Sequence, residues 1–141
     1  MSTRCQIRVI KNGYPLNYYH HFDGYLSGVG RELRDWLLEI GVESGKRSDD
    51  VDMLVAKMSA DNQYEPTFWR HTDIEFFYLL DFDNGIFKAY ELYGCDPWAD
   101  EDSDDYDKSK AWYEQLPCKI SREVDLLGND FENEQDFECM A

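Results

Sequence analysis

The chain has little positive charge. Its 141 residues include 14 Lys and Arg against 30 Asp and Glu, which gives a formal net charge of −16 at pH 7. Nucleic-acid binding draws most of its affinity from the neutralisation of phosphates by Lys and Arg, so this composition argues against direct binding of DNA or RNA. A strongly acidic protein favours basic partners instead.

Long apolar runs are also missing. Even a run such as residues 76–80 is short, whereas a membrane-spanning helix needs about 20 apolar residues. The first residues, Met-Ser-Thr-Arg-Cys, lack the apolar core of a signal peptide. These two absences predict a cytoplasmic protein with no membrane partner.

Signatures of catalysis and of cofactor binding do not occur. The four cysteines, Cys5, Cys95, Cys118 and Cys139, are far apart and form no Cys-x-x-Cys pair, so we expect reduced structural thiols. The sequence has neither a glycine-rich nucleotide motif nor a Ser/His/Asp or Cys/His pattern. It therefore predicts no cofactor, no metal site and no catalytic residue, and it favours a protein that is not an enzyme.

What the sequence does contain is a set of turns and apolar patterns that predict two β-hairpins. Residues 5–10 are mostly apolar on one face, and Asn12 and Gly13 follow as a turn that tolerates positive φ. The return strand is predicted within residues 16–22. A second hairpin is predicted from the two apolar runs within residues 74–93, which the turn Asp-Asn-Gly separates.

Two helices are predicted between the hairpins. Apolar residues recur at helical spacing over residues 33–40, and Gly41 follows as a C-cap. Ser48 is a candidate N-cap for the second helix, whose apolar stripe covers residues 51–58. This order predicts an α+β fold, in which an antiparallel sheet of about four strands carries both helices on one face.

The acidic charge is concentrated in the second half. Residues 1–72 contain 9 basic and 10 acidic residues, whereas residues 73–141 contain 5 and 20. We therefore divide the chain into a compact core, residues 1–94, and an acidic C-terminal segment, residues 95–141, which packs on the core or extends from it. A short helix is predicted within this segment, over residues 103–116.

A Thr-Arg-Cys start, a short hairpin and an Asp-Gly-Tyr-x-x-Gly-x-Gly segment that enters a helix occupy the first third of the chain. The residues of this pattern are Thr3, Arg4, Cys5, Asp23, Gly24, Tyr25, Gly28 and Gly30, followed by Leu33, Trp36 and Leu37. In these features the chain resembles a small bacterial and phage-associated family without an established activity. The resemblance implies a related fold and a phage setting, although Leu26 stands where the family usually has proline.

The glycine-rich entry into the first helix is a candidate anion site. Backbone N–H groups and the helix dipole favour negative charge there, and the candidate residues are Arg4, Gly28, Gly30 and Arg31. Glycines at a corner between a strand and a helix also serve turn geometry, and that role is the more common one.

Histidines and carboxylates near the same segment suggest acid/base chemistry or a metal site. The atoms required are present in His20, His21, Asp23, His71 and Asp73. Neighbouring residues of an extended segment point to opposite faces, so only one of His20 and His21 can belong to a common site.

The favoured functional hypothesis rests on the acidic segment. Carboxylates in a fixed array compete for the Lys and Arg residues that bind phosphates, so we predict a nucleic-acid mimic, an inhibitor that occupies the basic groove of a DNA- or RNA-binding defence protein such as a CRISPR or restriction complex. The predicted partner-binding residues are Asp96, Trp98, Asp100, Glu101, Asp102, Asp104, Asp105, Asp107, Asp130, Glu132, Glu134, Asp136 and Glu138. The alternative is a small-ligand or metal-binding domain, or an enzyme, that uses the region of His20, His21, Asp23 and the glycine loop.

Overall fold

The computed structural model describes residues 3–41, 50–67, 73–93, 119–128 and 131. In this part of the chain, six strands form one sheet and two α-helices accompany it. The strands are β1 (Cys5–Lys11), β2 (Tyr14–His20), β3 (Glu65–Thr67), β4 (Phe76–Asp81), β5 (Ile86–Tyr93) and β6 (Lys119–Asp125), and the helices are α1 (Arg31–Glu39) and α2 (Asp50–Ala60). The predicted α+β class is confirmed, and the sheet is larger than the four strands expected.

The strand order in the sheet is β3-β2-β1-β4-β5-β6. Both predicted hairpins are confirmed, since β1 pairs antiparallel with β2 and β4 pairs antiparallel with β5. The two hairpins join through a parallel pairing of β1 with β4, so the sheet is mixed. The two strands that were not predicted, β3 and β6, lie at the two edges and pair antiparallel with their neighbours.

The parallel pairing places the two hairpin turns at the same end of the sheet. Asn12 and Gly13 have the positive φ angles predicted for them, 54° and 71°. Their backbone N–H groups donate to the carboxylate of Asp83, at 2.6 and 2.7 Å. The turn of the second hairpin therefore binds the turn of the first, which fixes one hairpin against the other.

Helix α1 begins directly after a short π-helical turn, Leu26–Gly30. It ends where predicted, because Gly41 takes a left-handed conformation with φ of 77°. Helix α2 begins at Asp50, and its predicted cap Ser48 lies outside the described residues. Neither helix of the described ranges is long and apolar enough to cross a membrane.

Both helices lie on one face of the sheet, as predicted. Leu33 and Leu37 of α1 and Leu54 and Met58 of α2 are fully buried in a cluster that contains the sheet residue Tyr78. The opposite face carries a smaller cluster of buried residues, to which neither of these helices contributes. The members of this second cluster are Tyr19, Ile74, Phe77, Leu79, Tyr90 and Leu92.

Residues beyond the predicted boundary at residue 94 contribute to the same core. Strand β6 pairs with β5 along its length, and Val124, Leu126 and Phe131 are buried in the larger cluster. The guanidinium groups of Arg31 and Arg34 lie over the Phe131 ring, at 5.4 and 5.0 Å from its centroid. The helix predicted over residues 103–116 lies outside the described residues.

Candidate functional site

The glycine corner, residues 23–30, connects β2 with α1 and is held by close backbone contacts. Asp23 has a positive φ of 56°, and its carbonyl accepts the N–H of Val29 at 2.8 Å. A Cβ atom on Gly28 would lie 2.1 Å from that same carbonyl oxygen, and one on Gly24 would lie 2.9 Å from the carbonyl oxygen of Thr3. The glycines are therefore needed for close approach of the backbone.

A cleft of about 310 Å³ opens beside the glycine corner. It lies where the end of β2, the start of α1 and the turn after α2 meet, so residues distant in sequence form one wall. The residues that line it are His20, Phe22, Asp23, Gly28, Val29, Glu32, Asp61 and Gln63. Its size is at the lower end of the range for small-molecule sites, which starts at about 300 Å³.

His20, the last residue of β2, forms part of this wall and is 6% exposed. Its ring meets the ring of Tyr64 edge-on, with 4.6 Å between the ring centroids. Its Nδ1 atom is buried and has no hydrogen-bond partner in the described part of the chain. An unsatisfied buried polar group costs about 1–3 kcal/mol, so this nitrogen is a feature that packing alone does not explain.

The surroundings of His20 favour its neutral form. Burial lowers the pKa of His20 below its ordinary value of 6.5, while the backbone of Phe22 and the carboxylates of Asp61, Glu32 and Asp23 act in the opposite direction. Burial is the larger effect, because the charged imidazolium would lose its hydration. At neutral pH the ring therefore offers one N–H donor and one nitrogen acceptor.

Three acidic residues from different elements line the cleft. Glu32, in the first turn of α1, accepts the hydroxyl of Tyr64 at 2.5 Å. Asp61 accepts the N–H of Gln63, and Asp23 accepts the hydroxyl of Tyr25, both at 2.9 Å. In the described part of the chain none of the three forms an ion pair with Lys or Arg.

Tyr64 contacts two of the cleft residues, Glu32 and His20. Burial, followed by its hydrogen bond to the Glu32 carboxylate, raises the pKa of Tyr64 well above its ordinary value of 10. The tyrosine therefore remains a hydroxyl donor at every physiological pH. It fixes one oxygen of Glu32 and packs against the ring of His20, so the two cleft residues are positioned by the same side chain.

The two adjacent histidines separate as predicted. His20 packs on Tyr64, which belongs to the cluster under the helices, whereas His21 packs on Tyr19, which belongs to the opposite cluster, at 4.7 Å between centroids. His21 lies 4.0 Å from the carboxylate of Glu65. Only His20 therefore lines the cleft.

The residues of the predicted anion site and its neighbours make other contacts. The N–H groups of Gly28 and Gly30 donate to the carbonyl of Tyr25, at 3.0 and 3.3 Å. Arg4 lies 3.5 Å from the carboxylate of Asp73, which also accepts the hydroxyl of Tyr19. Arg31 packs on the Phe131 ring, and His71 lies outside the described residues.

The predicted partner-binding surface also lies outside the described residues. This applies to every acid named for it within residues 96–107 and 130–138, and to Trp98. Phe131, near the start of the second stretch, is described and is buried, 4% exposed. Among the residues that the structure describes, no group of three or more His, Cys, Asp or Glu is arranged to hold a metal ion.

Sequence reasoning missed Glu32, Asp61 and Tyr64 as members of the cleft. Glu32 reads as an ordinary acid in the first turn of a helix, and Asp61 as a polar residue after a helix. Comparison of the chain with protein-family models, curated proteins and solved structures gives no match. The site is therefore interpreted from its own geometry.

Proposed function

We propose that the protein is a non-enzymatic acidic inhibitor that imitates the charge of nucleic acid and occupies the basic groove of a DNA- or RNA-binding defence protein. The observation that carries the proposal is the segregation of charge, with 5 basic and 20 acidic residues in positions 73–141 against 9 and 10 in positions 1–72. The fitting targets are a CRISPR effector or a restriction enzyme, encountered in the cytoplasm of a host cell during phage infection.

The attachment points of the acidic segments support this proposal. Residues 94–118, with eight acids and two bases, connect Tyr93 to Lys119, which are paired across β5 and β6. Residues 129–141, with five acids and no base, begin shortly after the other end of β6. The two segments are thus anchored at opposite ends of one edge strand, about 20 Å apart at 3.3 Å per residue.

Carboxylates anchored in this way suit a basic groove. They attract the same Lys and Arg side chains that bind phosphates, and the long-range field accelerates the encounter of the two proteins. Because this attraction acts between largely hydrated charges, it weakens as salt is raised. Binding should therefore exclude nucleic acid from the target and should be salt-dependent.

The test starts with capture of a partner from host lysate and continues with the purified pair. We expect the partner to lose labelled DNA or RNA when this protein is added, and the affinity to fall steeply with salt. Simultaneous binding of nucleic acid and this protein would refute the proposal. A variant with the seven acids of residues 96–107 changed to amides should lose affinity and salt dependence.

A matched variant controls for net charge alone. It changes seven of the eight acids within residues 35–65 to amides and retains Asp61, so that its net charge equals that of the first variant. If the proposal is correct, the control binds almost like the parent. Equal losses of affinity in the two variants would show that binding depends on net charge alone and not on the acids of residues 96–107, which would contradict the proposal.

A second candidate function, binding of a small ligand, is favoured by the cleft beside the glycine corner. The cleft is lined by His20, whose buried Nδ1 atom has no hydrogen-bond partner among the described residues, and by three acids that form no ion pair with a described base. Ligand binding predicts thermal stabilisation by the ligand. Neutralisation of the acids in residues 96–107 should leave that stabilisation unchanged.

A further inference from the structure

We propose that the cleft binds a small organic cation through a guanidinium or primary ammonium group, which the carboxylates of Glu32, Asp61 and Asp23 hold beside the imidazole of His20. The inference rests on the second candidate function, ligand binding at the cleft. It does not depend on the acidic segments or on a protein partner, so it can fail or succeed independently of the inhibitor proposal.

The charge of the cleft determines the class of ligand. Three of its eight lining residues are acids and none is Lys or Arg, so an anion would meet repulsion there. Each of the three carboxylates accepts a hydrogen bond from a neutral donor, but none is neutralised by a described base. Hydrogen bonds from a charged donor to such carboxylates are roughly twice as strong as those between neutral groups.

His20 supplies the independent reason to expect a ligand. The residue is 94% buried and lines the cleft, and its buried Nδ1 atom lacks a hydrogen-bond partner among the described residues. Buried polar atoms in folded proteins are nearly always satisfied. A donor-rich cation placed among the three carboxylates would bring N–H groups next to this ring.

An organic cation fits better than a metal ion. In the described ranges no three ligating side chains are arranged for metal coordination, whereas a guanidinium group reaches separated acceptors with its five N–H donors. The wall also includes Phe22, which is 53% exposed and offers an aromatic face for the alkyl stem or the cation. The volume of about 310 Å³ limits the ligand to a small molecule.

Protonation of His20 should oppose binding. The charged or titratable groups that face the ring are the three cleft acids, the Tyr64 hydroxyl and, on the paired strand β1, the Cys5 thiol. Burial raises the pKa of Cys5, and Tyr64 also stays protonated, so neither of them becomes positively charged on acidification, whereas a protonated His20 would repel a cation. The affinity for a cation should therefore fall as the pH decreases below 6.5.

Calorimetric titration of the full chain with butylguanidine tests the proposal at pH 7.5 and low ionic strength. We expect one binding site and no binding of butylurea, which has a similar shape and no charge. Glu32→Gln and Asp61→Asn should each weaken binding about tenfold or more, which corresponds to the loss of one hydrogen bond to a charged group. The Cε1–H resonance of His20 should shift on addition of butylguanidine.

The matched control is Asp35→Asn, which removes one negative charge from an exposed position of α1. It should bind butylguanidine like the parent. Thermal unfolding checks that each variant is folded, and Asp61→Asn provides a second measurement if loss of the Tyr64 contact destabilises Glu32→Gln. Three results would each overturn the inference. The first is equal binding of butylurea, and the second is an equal loss of affinity in Asp35→Asn and Asp61→Asn. The third is an absence of binding at 10 mM butylguanidine, which is about 100 times a dissociation constant of 0.1 mM.

Discussion

The glycine corner and the C-terminal strand β6 both complete the larger core, but by different physical means. The corner uses backbone contacts that leave no space for a side chain, because a Cβ added to Gly28 would lie 2.1 Å from the carbonyl oxygen of Asp23. Strand β6 and the residues after it use side chains, since Val124, Leu126 and Phe131 fill the core. Substitutions that add atoms should therefore destabilise the protein at the glycine corner, whereas substitutions that remove atoms should destabilise it at the C-terminal strand.

Removal of the C-terminal strand should have the largest effect. A fragment of residues 1–94 contains both predicted hairpins and both helices, and the division at residue 94 remains a prediction. The fragment loses the edge strand β6 and three buried apolar side chains, each worth about 2–5 kcal/mol, against a total stability of about 5–15 kcal/mol for a domain. We therefore expect no cooperative thermal transition.

Circular dichroism during heating checks this expectation. A fragment that ends at residue 128 is the control for the loss of β6, since it retains this strand and lacks Phe131 and the acidic residues that follow. It should unfold cooperatively at a lower temperature than the full chain. A cooperative transition in residues 1–94 would instead show that the first two thirds of the chain fold alone, as the sequence suggests.

Substitution of Phe131 should have the next largest effect. The ring is 4% exposed and lies beneath the guanidinium groups of Arg31 and Arg34. Phe131→Ala creates a cavity in the core and removes both cation–π contacts, so we expect a loss of about 3–4 kcal/mol in the free energy of unfolding. Phe22→Ala, at a ring that is 53% exposed, should cost much less. Similar losses in the two variants, measured by urea unfolding, would remove the distinction between them.

Substitution of Gly28 tests the glycine corner by adding atoms, whereas the substitution of Phe131 removes them. Gly28→Ala forces the backbone of Asp23 to move, and we expect a loss of about 2–3 kcal/mol. Gly13→Ala is the control, because Gly13 has a positive φ of 71° but no atom within 4 Å of its added Cβ. It should lose only about 1–2 kcal/mol. A Gly28→Ala variant as stable as Gly13→Ala would mean that crowding at the corner is relieved at little cost.

Most of the elements that local patterns specify could be predicted. Asn12 and Gly13 permit positive φ at the first turn, and residues 33–40 have the helical period, so hairpin and helix are visible within a short window. The edge strands were not visible in this way. Strand β3 has three residues including a proline, and β6 (Lys119–Asp125) is mostly charged or polar, so its assignment depends on the partner strand β5.

The candidate site was predicted only in part, for a similar reason. His20, Asp23 and Gly28 lie close together in sequence and were recognised as a candidate region. Glu32 and Asp61 join them through the packing of α1 and of the turn after α2, which no local pattern specifies. The unpartnered state of the His20 nitrogen is likewise a property of the assembled core and of no sequence pattern.

The smallest effect concerns the pH dependence of stability, which should come from the corner's neighbour His20. Because burial lowers the pKa of His20 in the folded state, the unfolded chain binds a proton more readily near pH 6. The stabilisation from the neutral buried ring is fully present above the unfolded pKa of about 6.5 and is lost as the pH falls towards the folded pKa. His20→Gln should therefore lose less stability than the parent between pH 7.5 and pH 5.5 in urea unfolding. If His20→Gln and the parent lose equal stability over this interval, the ring at position 20 is not buried in its neutral form. The glycine corner and β6 would then differ only in how they pack in the core.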